Sequence, residues 1–258
     1  MKILSCNAGY LQGDRGSIGG YVPSPLQAVF GDATVERRAT ERLSELIARE
    51  RPDVTCLVEV DDGSIRTTTD GQLDRLLEAL ESRGLQYSGR IDRKYGSQGL
   101  VATLPFFKHL GNGVLFDGDH RTDVHYLDTG PKRLVTEVRL TPDVALFVVH
   151  LSLGSRSRRR QLAELGALIE RSTAERTIVT GDFNTFGGHD ELDRLIDRTG
   201  LNLYVPGETV SNRPFDELVL STRALDLVLC SPSIGIERCD VLDVQVSDHR
   251  PVVTEIAL

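Results

Sequence analysis

The chain's 258 residues are 40% hydrophobic and 26% charged, with a formal net charge of −8; this is the make-up of a folded globular protein and excludes a disordered one. The acidic balance counts against a protein that lives on non-specific phosphate contacts, so stable binding of duplex DNA is not expected. No apolar run approaches bilayer length, which leaves no transmembrane segment, and the length allows one large domain or two small ones around a sizeable core.

Lys2–Cys6 is a short apolar run suited to a buried strand, with Asn7 at its end. Residues 8–32 are rich in Gly, carry Pro23 and Pro25 and keep no period. Loops of that length are functional covers or mobile, so residues 10–32 are a candidate lid as well as a candidate packed surface loop. Tyr10, Tyr21, Val22, Leu26 and Phe30 would give such a lid an apolar face. Thr34–Glu50 is predicted helical, because Ala39, Leu43, Leu46 and Ile47 recur at i, i+4, i+7 and i+8. Pro52 stops it, and Asp53–Val60 follows as a buried strand with Glu59 near its end.

Gly71–Arg83 is a second amphipathic helix, carrying Leu73, Leu76, Leu77 and Leu80. Strands are then expected at Leu85–Ser88, Gly99–Thr103, Phe106–Leu110, Val124–Leu127, Arg133–Leu140 and Val144–Leu151. Arg156–Arg171 is a third helix with Leu162, Leu165, Leu168 and Ile169 on one face. Thr177–Thr180 is a strand that runs into Gly181-Asp182-Phe183-Asn184. A short helix at Glu191–Thr199 and an irregular stretch at Leu201–Val210 come next. The last strands are Ala224–Cys230, Ile234–Val246 (interrupted) and Pro251–Ile256. Closely spaced strands imply antiparallel hairpins. No repeat or linker splits the chain, so residues 1–258 are expected to form a single domain of two packed, largely antiparallel sheets with helices outside.

The four cysteines (Cys6, Cys56, Cys230, Cys239) show no metal or redox spacing, and three lie in apolar runs where free cysteine acts as a small hydrophobe. The opening Met-Lys-Ile-Leu-Ser-Cys-Asn is too short in apolar residues for a signal peptide. A reduced, cytoplasmic protein is expected; nothing in the sequence sets its oligomeric state.

Polar residues recur on or just past the apolar runs. Asn7 ends the first strand, Glu59 lies in Leu-Val-Glu-Val, His150 in Val-Val-His-Leu, Asp182 and Asn184 in Gly-Asp-Phe-Asn, and Asp226 in Ala-Leu-Asp-Leu-Val-Leu. Ser247-Asp248-His249-Arg250-Pro251 is expected at a strand-to-strand turn after Val241–Val246; an adjacent carboxylate and imidazole suit proton transfer. Singly, most of these have bland explanations: Asn7, Gly-Asp-Phe-Asn and Ser-Asp-His as turns, His150 as a core histidine. Glu59 and Asp226 resist that, since a carboxylate inside an apolar strand is costly to bury alone.

In this order, the motifs resemble those of the endonuclease/exonuclease/phosphatase superfamily, which includes deoxyribonucleases, abasic-site endonucleases, neutral sphingomyelinases and inositol-polyphosphate 5-phosphatases. The resemblance covers essentially the whole chain. It implies an α+β fold, a four-layer α/β/β/α sandwich of two mainly antiparallel mixed sheets, and hydrolysis of phosphoesters with Mg2+ or Mn2+. Carried over by motif, it implies Glu59 as principal metal ligand with Asn7 beside it and Asp248 completing or approaching the shell; oxygen donors suit these ions. It further implies His249 as the base that activates water, although members divide that role between the Asp of Gly-Asp-x-Asn (here Asp182) and the final His. Asp226 would be the carboxylate that orients the ring, Asp182 the group that positions the nucleophile or assists the leaving oxygen, and Asn184 and His150 hydrogen-bond donors to developing charge.

Tyr95 or Gln98 stands where many members place a phosphate-touching Asn or Tyr. Lys132-Arg133 stands where other members also carry basic residues and reads as a solvated strand start in preference to a phosphate contact. Arg156, Arg158, Arg159 and Arg160 read as a solvated face paired with acidic neighbours in preference to a surface for anionic substrate or lipid headgroups. His109, His120, His125 and His189 show no ligand spacing and read as surface residues. The expected function is a metal-dependent phosphodiesterase or phosphatase acting on nucleic acid, a phospholipid headgroup or a small phosphoester. A non-catalytic member that binds a phospholigand or a protein would have lost metal or base residues; here all the main positions are present.

Overall fold

The computed structural model describes residues 1–11, 33–63, 71–93, 109–210 and 221–258. The candidate lid beyond Leu11, the strand expected at 99–103, and Tyr95 and Gln98 lie outside them. From the N-terminus run β1 (Lys2–Asn7), α1 (Ala33–Glu50), β2 (Val54–Asp61), α2 (Gln72–Glu81), β3 (Ser88–Arg93) and β4 (Leu110–Phe116). Then come β5 (Arg121–Tyr126), β6 (Leu134–Thr141), β7 (Val144–His150), α3 (Ser155–Arg171) and β8 (Arg176–Asp182). The chain ends through α4 (Asp193–Thr199), β9 (Asn202–Tyr204), β10 (Asp226–Cys230), β11 (Gly235–Val241) and β12 (Val252–Ala257).

The strands form two mixed sheets of six, ordered β11-β12-β1-β2-β4-β3 and β5-β6-β7-β8-β10-β9. β1 pairs with β2 and β7 with β8 in parallel, and α1 and α3 supply the crossovers such pairs require. Strand periodicity builds the layers. Val144, Leu146 and Val148 of β7 meet Val54, Cys56 and Val58 of β2 between the sheets. The alternate residues Ala145, Phe147 and Val149 pack on Leu162 and Leu165 of α3 and Leu195 of α4. On the other side, Leu43 and Ile47 of α1 and Leu73 and Leu76 of α2 cover Leu57 and Val60 of β2. Helix, sheet, sheet, helix is the expected four-layer α+β sandwich.

Three expectations about elements are corrected. The strand placed at Leu85–Ser88 runs instead from Ser88 to Arg93, an edge strand whose largely exposed residues carry no apolar alternation. Of the one placed at Phe106–Leu110, residues 106–108 lie outside the described residues, and β4 runs on past its expected end, from Leu110 to Phe116, in the glycine-rich Leu-Gly-Asn-Gly-Val-Leu-Phe. A Cβ on Gly111 would lie 2.2 Å from the Asp92 carbonyl oxygen, so glycine is what lets β3 and β4 approach. Third, β11 stops at Val241. Leu242 and Val246 turn into the helix-side core, so Ser247–Pro251 closes a longer connection between β11 and β12 instead of directly following a strand.

Candidate active site

Asn7, Glu59, His150, Asp182 and Asp226 lie at or near strand ends where the two sheets meet. His150 and Asp182 are register partners on the parallel pair β7–β8, and Asp226 opposes Asp182 across β8–β10. From the other sheet, Asn7 Nδ2 donates to Asp182 Oδ2 at 3.0 Å, bridging the sandwich. Asn7, His150, Asp182 and Asp226 are all buried.

Local backbone devices aim these side chains. The β2–β4 register slips between Val58 and Val60, and Glu59 there takes φ +57°. This is a β-bulge, which re-aims a side chain out of the strict alternation; Val58 faces the other sheet and Val60 the helices. Glu59 Oε1 then lies 3.6 Å from His150 Nε2. In Gly-Asp-Phe-Asn, Gly181 has φ +131°, and a Cβ on it would stand 2.1 Å from the Val149 carbonyl oxygen. Phe183 plugs into the helix-side core, and Asn184 closes the turn in the left-handed region at φ +53°, which Asn tolerates. Asn184 N donates to Asp182 Oδ1 at 3.0 Å and its Nδ2 to the Leu151 carbonyl at 2.9 Å. Asn184 thus ties the exits of β7 and β8 together.

Asp226 Oδ2 is 2.7 Å from His249 Nδ1, which leaves Nε2 as the chemical face of the ring. Ser247 anchors that loop: its Oγ donates to the Asn7 carbonyl at 2.5 Å and accepts from His249 N at 3.0 Å. Arg250 N donates to the Thr209 carbonyl at 2.7 Å, while Thr209 Oγ1 accepts from Asp226 N at 3.2 Å. Burial pushes the Asp182 carboxyl up to about 6, against the pull of His249 and with the push of Asp226. For His249 burial opposes the charged ring, but Asp226, then Asp182 and Asp248, outweigh it and hold it up to about 10.

Two residues not singled out for the site stand in it or beside it. Lys132, expected at a solvated strand start, has a side chain only 14% exposed whose Nζ is 3.5 Å from Glu59 Oε1 and in hydrogen-bond contact with His150 Nε2. Asn112 of β4 pairs with Val58 next to the bulge; it is buried and its Nδ2 has no hydrogen-bond partner among the described residues. Glycines on both sides of Asn112 hid it, and the Lys-Arg pair at a predicted strand start masked Lys132. Among the four arginines near the start of α3, Arg158 is a correction. It is 2% exposed and holds Glu191 through two bonds of 3.0 and 2.5 Å. Of the histidines read as surface residues, His125 pairs with Glu137 Oε2 at 2.8 Å and His189 meets the Ala224 carbonyl at 3.0 Å.

Among the described residues, no three His, Cys, Asp or Glu side chains gather closely enough to hold a metal ion. The donors at hand are nonetheless the oxygen type that Mg2+ and Mn2+ take: the Glu59 and Asp248 carboxylates and the Asn7 Oδ1, which accepts from Gly9 N at 3.0 Å.

Polar strand ends from two packed mixed sheets, converging beneath an Asp-held histidine, define a four-layer sandwich with one composite site. The family model of the Endonuclease/Exonuclease/phosphatase family matches residues 19–249, and the chain belongs to that family. Among solved structures it is similar to a family protein from Leptotrichia buccalis, with 16% identity, TM-score 0.70 and all of both chains covered. A mannosyl-6-phosphatase from Bacteroides thetaiotaomicron matches at 16% identity and TM-score 0.68, again over all of both chains. TDP2 from D. rerio, complexed with a single-strand DNA product, matches at 15% identity and TM-score 0.63, over 100% of this chain and 99% of its own. No curated protein matches the chain with significance.

Proposed function

We propose that this protein is a divalent-cation-dependent phosphoester hydrolase that uses water as nucleophile, and that its two sheets act as one domain. The observation carrying the reading is the convergence of Asn7, His150 and Asp182, joined across the sandwich, with the His249–Asp226 pair. Glu59, with Asn7 and Asp248, would hold Mg2+ or Mn2+. Such an ion, when bound, neutralises charge on the phosphoryl group.

The charges around His249 bear on which of the two groups, Asp182 or His249, takes the base role that the motifs leave between them. Three carboxylates favour its imidazolium form, so at neutral pH its Nε2–H is a donor for a phosphoryl oxygen rather than a base. We assign the water's proton to Asp182, a buried carboxylate more basic than usual. Asn7 and the Asn184 backbone orient it through their hydrogen bonds. His150 faces the same carboxylate at 3.4 Å, and the unpartnered Asn112 Nδ2 suits a second phosphoryl oxygen. The net charge of −8 favours a small or single-stranded phosphoester over duplex DNA.

The test is hydrolysis of bis-p-nitrophenyl phosphate and p-nitrophenyl phosphate with Mg2+, with Mn2+ and with chelator, using Asp182→Asn with His249→Ala as the inactive control. Cation-dependent turnover absent from the control is the expected result. Turnover that survives chelator or the double substitution would sink the reading.

A further inference from the structure

Lys132 belongs to none of the roles above, yet its position is built. The segment that carries it, between β5 and β6, is pinned from α3: buried Gln161 donates from Nε2 to the Thr129 carbonyl at 2.8 Å and the Lys132 carbonyl at 2.5 Å. The Gln161 Oε1 accepts from Ser152 N at 2.8 Å, so the same amide also fixes the exit of β7, two residues after His150. Glu164 adds two further bonds to Thr129, at 3.2 Å to its N and 2.5 Å to its Oγ1. Gly130, at φ +83°, leaves no room for a side chain, since a Cβ there would lie 2.5 Å from Ser152 Oγ. This frame delivers the ammonium to Glu59 Oε1 at 3.5 Å and to His150 Nε2, and its charge reaches Asp182.

Lys132 thus brings a positive charge between Glu59, His150 and Asp182. Building on the proposed cation site, we infer that Lys132 is an internal competitor for the divalent ion at Glu59. A divalent ion at that carboxylate meets a unit positive charge a few ångströms away, in a half-buried site where screening is weak. Binding therefore requires the ammonium to leave Glu59. Its four-carbon stem and three rotatable donors permit that movement, and the released ammonium is then available to an anionic substrate. The protein should accordingly hold the ion more weakly without substrate than with it.

The experiment is titration of Mn2+ into the full chain, followed calorimetrically and by electron paramagnetic resonance of free ion. Wild type, Lys132→Met, Lys132→Arg and Glu59→Gln are compared, each first checked for folding by its melting transition. The expected result is at least tenfold tighter Mn2+ binding in K132M, little change in K132R, and lost binding in E59Q. K132M binding equal to or weaker than wild type overturns the inference while leaving the cation site standing. Wild-type-like binding in E59Q, or no binding in wild type and K132M alike, removes the cation site at Glu59 and the inference with it.

Discussion

Glu191→Met is the sharpest test of how the loops around the site are held. Arg158 is 2% exposed; besides Glu191 it donates to the Ser152 and Leu153 carbonyls at 3.1 and 2.6 Å. Removing the carboxylate leaves a guanidinium buried without its counter-charge, a change that costs about 3–5 kcal/mol. The low end applies, because a cavity of about 740 Å3 lined by Leu153, Arg158, Phe186 and Glu191 admits water to the orphaned charge. A loss of about 3 kcal/mol corresponds to a melting point lower by about 6–12 °C in a chain of this size. Urea denaturation with unchanged m-value reads it directly. Adding Arg158→Met removes the stranded charge, so the double variant should recover part of the loss despite its two unpaired carbonyls. A single variant costing under about 1 kcal/mol, or a double variant no more stable than the single, would refute the account of a buried ion pair.

Gly181→Ala should be among the most damaging small substitutions, at about 3 kcal/mol or more. It combines a disfavoured φ with a backbone clash at Val149, and urea titration should report both lost stability and a displaced β7–β8 pair. Asn112→Ala removes a buried donor with no described partner, so stability should change by less than about 1 kcal/mol. The KM for a phosphoester should rise about tenfold, the loss of one hydrogen bond to a charged group. In chelator, His249 carries a pKa raised by its carboxylates to about 10, above the roughly 6.5 of an unfolded chain. Its stabilising contribution is complete below about pH 6.5 and fades as pH rises through about 10. Melting points from pH 6 to 10 should therefore fall more steeply in wild type than in Asp226→Asn.

How much of this was legible follows from the kind of signal each residue carries. Asn7, Glu59, His150, Asp182 and Asp226 interrupt or end apolar runs, and burial without a partner is costly enough to make such interruptions informative. Their convergence depends on the bulge at Glu59 and the positive φ at Gly181 and Asn184, none of which the apolar alternation encodes. Asn112 was hidden because Gly111 and Gly113, which spare β4 a clash with β3 and its helix-side cover, also erase its strand pattern. Lys132 and Arg158 look like surface charges until their partners are known, and those partners lie 73 and 33 residues away in the chain. The loop before β12 was read as a strand because Leu242 and Val246 are apolar, although they serve a helix-side core.

The Asn7–Asp182 bond has a consequence for how activity would fail. Each half of the site hangs from a different sheet, so its geometry depends on how the sheets are docked as well as on either one's integrity. A solvent or substitution that loosens the interface would silence hydrolysis while both sheets keep their ladders. Catalysis in such a molecule is a gauge of docking.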